Sequence, residues 1–282
     1  MGASPRSGRL LEVCLMPLRL CAISCEVLAH PVYMCAARSR HVVDVTLLRR
    51  RLHDTPALLR GRLQAEIDAA SEADPPYDAV VLAYGLCGTA TAGIAAAGVP
   101  LVVPRAHDCI TLLLGSRDRY EREFAAHPGT YWYAPDYLER SDADVVGSAG
   151  GLIGIGSTSD EADQATYAEY IARFGEDNAA YLMEVTGAWR SQYDRAAFLD
   201  TGVGDASAAE EKVRLEAGRR GWLFERLAGE LLLIRRLLDG NWDEDFLVLA
   251  PGQRLAMSYD ASIIRAEGDL KVPAPGEAAT RP

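Results

Sequence analysis

No apolar run in this chain of 282 residues approaches the roughly 20 that a membrane-spanning helix requires. Basic residues are scattered and the formal net charge is −11, whereas phosphate binding needs clustered Lys and Arg, so nucleic acid is excluded as the main partner. Several nucleotide and hydrolase signatures are missing as well. The glycine-rich stretch Gly150–Gly156 has no Gly-Lys-Ser/Thr and is no P-loop. No Gly-x-Gly-x-x-Gly marks the first strand–helix turn, which argues against a nicotinamide dehydrogenase, and no Gly-x-Ser-x-Gly elbow is present. The six cysteines lack the spacing of a disulfide framework, and a chain of this length can build its core without staples. The thiols therefore read as reduced and the protein as cytoplasmic. No internal repeat occurs at a fixed short period.

What is present has the composition of an ordinary globular protein, 49% hydrophobic and 24% charged. Arg6 and Arg9 followed by Leu10, Leu11, Val13 and Leu15 faintly resemble a signal peptide, but Glu12 and Arg19 interrupt the apolar core that one needs. Residues 1–17 are expected to be a disordered extension. Apolar runs then alternate with helical patterns: strands end near Cys25, Leu48, Ala83 and Val103. Thr55-Pro56 is expected to cap and open a helix, Thr91 to Ala97 to form a small-residue helix, and Ser116 to cap another that runs to about Ala126. This order predicts an α/β protein of two Rossmann-like lobes with mainly parallel sheets and a cleft between them. The first lobe is placed at 18–127 and the second, with long helices, at 128–265, followed by a disordered tail at 266–282. Within the second lobe, Thr130–Tyr133, Phe198–Asp200 and Phe246–Ala250 are strand candidates. Helical patterns are read at 161–174 and 176–193, and Glu210 to Leu238 as mostly helical with a break at Gly218 and Gly221. The Gly/Ser/Asp-rich stretch 141–160 reads as a loop.

Three cysteines share one position relative to these strands. Cys25, Cys87 and Cys109 each follow a buried apolar run, so in a parallel sheet all three would emerge at the carboxyl edge, where open α/β sheets bind ligands. Cys87 lies between Gly85 and Gly88, which let the backbone turn and approach a ligand, and a helix starting just after it would favour thiolate. His107-Asp108-Cys109 sets a base, an acid and a thiol in a row. In extended backbone His107 and Cys109 would face the same side, whereas Asp108 could instead cap a helix from Cys109 onward. Glu26, after the first strand, could act as a base or sit at a helix start. His53 reads as a loop residue rather than a ligand. The aromatic run Tyr131-Trp132-Tyr133 reads as packing.

Cys25-Glu26-Val27-Leu28, Leu52-His53-Asp54-Thr55-Pro56, Tyr84-Gly85-Leu86-Cys87-Gly88 and the run Pro104 to Gly115 strongly resemble the bacterial and archaeal domain-of-unknown-function family 1638. Gly129-Thr130-Tyr131-Trp132, Phe174-Gly175-Glu176-Asp177-Asn178 and Asp245 through Gly252 fit the same pattern, so that the resemblance covers residues 18–265. Cys25, Cys87 and Cys109 lie within these motifs; Cys14, Cys21 and Cys35 do not. The resemblance implies little about activity beyond the company of corrinoid methyl-transfer proteins in anaerobes, and the chain lacks the Asp-x-His-x-x-Gly pattern that would ligate cobalamin itself.

These readings converge on a metal-centre-binding protein in which Cys25, Cys87 and Cys109 hold a [4Fe–4S] cluster or zinc, leaving one coordination position for a small-molecule substrate. His107 and Glu26 are the candidate acid/base groups. Arg105, Gly85, Gly88 and Thr89 are the candidates for holding an anionic substrate. Two alternatives stand beside this one: a metal-free thiol enzyme with Cys87 or Cys109 as nucleophile and His107 as base, and a non-enzymatic accessory protein of corrinoid-dependent methyl transfer.

Overall fold

Four apolar segments supply the first sheet. In a computed structural model, which describes residues 16–140 and 193–268 together with Ala168, Ile171, Ala172, Gly175 and Glu176, these are β1 (Arg19–Cys25), β2 (Val42–Leu48), β3 (Ala79–Ala83) and β4 (Leu101–Pro104). All run parallel in the order β2-β1-β3-β4, with Leu20 opposite Ala79 and Val80 opposite Leu101. From Leu20 to Cys25 and throughout β3 and β4 every residue is buried. Near-continuous burial is what a parallel sheet covered on both faces produces. The expected extension, the loop at 141–160, the helices at 161–174 and 176–193 and most of the tail lie outside the described residues.

Helices α1 (Ala29–Arg38) and α2 (Pro56–Ser71) follow β1 and β2. Pro56 takes the first helical position as expected, but the Thr55 side chain makes no capping bond. After β4 come α3 (Cys109–Leu114) and α4 (Arg117–Ala126), each with a side-chain cap: Asp108 accepts from the Thr111 N–H and Ser116 from the Arg119 N–H. A second sheet, also parallel and ordered β5-β6-β7, is built from β5 (Thr130–Tyr133), β6 (Arg195–Asp200) and β7 (Leu223–Ala228). The short α5 (Pro135–Glu139) follows β5, α6 (Ser207–Arg220) joins β6 to β7, and α7 (Leu232–Leu238) follows β7. The chain then returns to the first sheet. There β8 (Phe246–Leu249) pairs antiparallel with β4, and β9 (Arg254–Met257) and β10 (Ile264–Glu267) form a hairpin. The protein is thus a mixed α/β chain with mainly parallel sheets.

Three sequence expectations are corrected. Thr91–Ala97 is not a helix: Gly93 takes φ +91°, and the segment bonds to the hairpin strand instead, through Gly93 N–H to Leu255 O (2.7 Å), Leu255 N–H to Ile94 O (2.8 Å) and Ala96 N–H to Gln253 O (2.9 Å). The helical reading of Glu210 to Leu238 stops at Gly221, in left-handed conformation at φ +69°, and Leu223–Ala228 is strand. Residues 246–249, read with the second lobe, complete the first sheet, so His127 marks the passage between sheets but does not divide the chain into two contiguous units.

The loops that leave the second sheet meet those that leave the first. Helix α5 packs on the turn Glu26–Leu28 that follows β1. His30 lies beside Gly204, after β6. After β7, the Glu230 N–H donates to Leu113 O at 2.8 Å, and Gly229 fits because a Cβ there would stand 3.0 Å from the same oxygen. Apolar side chains of both sheets, among them Ile23, Val81, Tyr131 and Phe198, belong to one continuous core.

Candidate three-thiol site

Each of the three cysteines sits at the carboxyl end of its strand. Cys25 is the last residue of β1 and only 8% exposed. Cys87 follows β3 in a left-handed conformation, φ 48°, and Cys109 opens α3 after β4; both are partly buried. Because β1, β3 and β4 are parallel neighbours, all three fall on one edge of the sheet. The loops beyond β3 and β4 remain joined past the strands: Leu86 N–H donates to Ala106 O and Cys87 N–H to His107 O, both at 2.8 Å. Gly85 permits this approach, since a Cβ there would lie 2.5 Å from both the N and the Cα of Asp108.

The thiols are close enough to act on one another electrostatically. Burial pushes Cys25 up to about 11, and burial also raises Cys87 and Cys109, with Cys25 adding to the rise at Cys87 and with Asp108, Cys87 and Cys25 adding at Cys109. The sequence reading of Cys87 as a thiolate on a helix N-terminus is therefore corrected: the helix after it does not form, and desolvation dominates. The three sulfurs do not converge to the spacing of a single-ion site. Among the described residues, the group whose donor atoms all lie within 4.8 Å of one another is His30, Asp136 and Glu139. There the Asp136 carboxylate accepts from the His30 backbone N–H (3.2 Å), pairs with the His30 Nδ1 (2.7 Å) and faces the Arg140 Nε at 3.7 Å, while Glu139 stands 3.9 Å from the His30 Nδ1. These bonds tie α1 to α5, and the histidine and arginine already answer the buried carboxylate.

Tyr84, at the end of β3, was only a motif letter in the sequence. It is 3% exposed, and its hydroxyl has no hydrogen-bond partner of regular geometry. The polar groups that bear on it are the thiols of Cys25, Cys87 and Cys109, which, after burial, hold its proton on. The loop after β2 also reaches this edge. Arg50 is buried, its guanidinium lies 5.4 Å from the Tyr137 ring, and its charge favours the Cys25 thiolate. His53, read from sequence as a loop residue, is partly buried beside Asp54 (3.4 Å) and feels the charge of Asp108; burial lowers its pKa. Tyr84 and His53 lie within the family-like motifs, whereas the only sequence signal for Arg50 was its place after a parallel strand.

The other candidates have structural partners. His107 is exposed and stacks on Tyr120 (ring centroids 5.8 Å apart). Asp108 is the cap of α3 and also accepts from the Tyr120 hydroxyl at 3.2 Å. Glu26 accepts from the Arg50 N–H at 3.2 Å and faces Arg140 at 3.8 Å, which anchors the turn after β1 to the neighbouring loops. Arg105 points to the hairpin, where its guanidinium donates to the carbonyls of Ser262 (2.9 Å) and Ile264. Gly88 and Thr89 are exposed, and the Thr89 carbonyl accepts from Arg60 at 3.1 Å. Replacing Arg105 with Ala is expected to loosen the hairpin by about 2 kcal/mol, the scale of lost bonds to a charged donor. Proteolysis within residues 258–263 should then accelerate; an unchanged cleavage rate would show that other contacts hold the hairpin.

Burial also pushes two core thiols, Cys21 and Cys35, up to about 11. Such a thiol keeps its proton in the native state after the unfolded chain has lost its own. Between the unfolded value near 9 and the folded value near 11 the unfolded state binds fewer protons, so stability falls as pH rises. The loss is read as a falling urea midpoint across the window, to which the buried Cys25 thiol contributes with the same sign. A flat midpoint would contradict the burial of both thiols.

No curated protein and no solved structure matches the chain. A family described as a protein of unknown function, DUF1638, matches residues 47–238, a span that includes Cys87 and Cys109 and leaves Cys25 outside. With about two thirds of its length covered by that match, the chain belongs to the DUF1638 family.

Proposed function

We propose that Cys25, Cys87 and Cys109 hold an iron–sulfur cluster between two Rossmann-like lobes whose facing strand ends form a cleft, and that a small anionic substrate binds there. The observation that carries this reading is the placement of three thiols on neighbouring parallel strand ends around the buried Tyr84 hydroxyl, which has no partner of regular geometry and stands beside the Cys25 sulfur. Soft thiolates select iron–sulfur clusters and zinc. Two thiolates on one tetrahedral zinc stand about 3.8 Å apart at Zn–S bonds of about 2.3 Å. The three sulfurs are not all within 4.8 Å of one another, so they do not stand ready to share one zinc, whereas in a cluster each thiolate would bind a different iron. When bound, a cluster held by three thiolates supplies one open iron that can act as a Lewis acid.

The protein's own residues supply the surroundings. The apolar core beneath β1, β3 and β4 excludes water from one side. Arg50 brings a buried positive charge to the edge where the thiols emerge, a more favourable position for an anion than that of Arg105. The facing loops after β1 and β5, β1 and β6, and β4 and β7 support a cleft at this edge. The metal-free thiol enzyme has less in its favour, because its base, His107, stacks on Tyr120 and its candidate nucleophiles are raised by burial. Anaerobic purification followed by metal and sulfide analysis tests the reading. Iron with acid-labile sulfide and broad visible absorption is the expected result; zinc alone would replace the cluster, and an absence of both would overturn the metal reading.

A further inference from the structure

We propose that the Tyr84 hydroxyl donates a hydrogen bond to the thiolate-bound centre, at the Cys25 sulfur, and so tunes its reduction potential. The inference rests on the cluster reading and adds a residue that positions the centre without ligating it.

Tyr84 stands on the residue directly after β3, with its ring in the core and its polar end at the thiols. A phenol buried to this degree ordinarily finds a partner, because an unmade bond leaves the cost of desolvation uncompensated. Here its near partner is the Cys25 sulfur, in a contact that falls short of regular hydrogen-bond geometry. A protonated thiol is a weak acceptor, whereas a metal-bound thiolate is a strong one. This donor is thus complementary to the thiolate state and poorly served by the thiol state. Two elements fix its aim: the backbone bonds of Leu86 and Cys87 to the loop after β4, and the close approach of Gly85 to Asp108. Hydrogen bonds to the sulfurs of a cluster favour its more negative, reduced state. Removing this one should lower the potential.

Tyr84→Phe separates this role from a structural one. The substitution keeps the ring and deletes only an oxygen whose contact with the Cys25 thiol is weak, so the metal-free variant should melt close to the parent protein. Both proteins are reconstituted anaerobically with ferrous iron and sulfide, and iron content, visible spectrum and reduction potential are read for each. The expected result is a loaded variant whose potential is lower and whose sulfur-to-iron absorption is shifted. A loaded variant with the parent's spectrum and potential would overturn the role of Tyr84 and leave the cluster reading standing. Failure of the parent protein itself to take up iron would overturn both, and a metal-free variant that melts well below the parent would show the hydroxyl to be a structural bond.

Discussion

Replacing Gly85 with Ala is expected to destabilise the protein by about 3 kcal/mol or more, the upper range for forcing an atom into a packed interior. The added Cβ would meet the N and Cα of Asp108 at 2.5 Å and its carbonyl carbon at 2.8 Å. All three are backbone atoms, so no rotamer change relieves the overlap. The Asp108 backbone cannot retreat freely either. Its neighbours Ala106 and His107 accept from Leu86 and Cys87, and its own side chain caps α3 through Thr111. The effect therefore extends beyond stability, because the displaced loops carry Cys87 and Cys109. Gly88→Ala is the matched control. Gly88 has φ +71°, yet a Cβ there meets nothing within 4 Å, so the cost is the left-handed conformation alone, about 1 kcal/mol. Urea denaturation of the two variants should show the larger loss at Gly85. Equal losses would mean that the contact between the two loops does not constrain this edge of the sheet.

Single Ser substitutions at Cys25, Cys87 and Cys109 should each cut retained iron by about tenfold or more, the scale seen when a metal site is compromised. Serine is close to cysteine in shape but is a poor ligand for soft metals, so the change removes coordination with little change in packing. Cys21→Ser and Cys35→Ser serve as controls, since both thiols are buried in the core and neither belongs to the strand-end set. A shared centre predicts that three variants lose metal and two retain it. Full iron retention in any one of the three would remove that cysteine from the ligand set. If iron is unaffected throughout and only one substitution alters activity, the thiols act singly and the shared site is wrong.

The parts of the fold that could be read from sequence are the strands with an unbroken run of apolar, aromatic or β-branched residues. Ala79–Ala83 and Thr130–Tyr133 run just as their apolar patterns indicate, because a parallel strand covered on both faces needs little beyond an unbroken apolar run. Leu223–Ala228 could not be read in this way. Its Leu, Glu, Arg and Ala residues favour helix, and its strand state depends on pairing with β6, where Arg195 is buried against Glu225 at 2.7 Å. Thr91–Ala97 failed for a similar reason: its bonds to Leu255 and Gln253, about 160 residues away, outweigh any local preference. The return of β8 to the first sheet is a matter of topology that no local pattern encodes.

The candidate site divides along the same line. The strand-end positions of Cys25, Cys87 and Cys109 followed from the alternation of strands and helices and were legible. The pairing of His107 with Cys109 was read from extended backbone, and Asp108 between them is extended; what the sequence could not show is that the His107 ring stacks on Tyr120. Arg105 looked like an anion holder because nothing in sequence showed that a hairpin at 254–267 would accept its bonds. Tyr84 was missed because a buried hydroxyl without a regular partner, set beside a thiol, is a property of three-dimensional surroundings alone.

Native mass spectrometry of anaerobically purified protein tests the central claim most directly. The account predicts that the folded chain carries the added mass of four irons and four sulfides, and that this mass is absent from the Cys25→Ser, Cys87→Ser and Cys109→Ser variants. A parent chain that flies at its bare polypeptide mass after anaerobic reconstitution would contradict it.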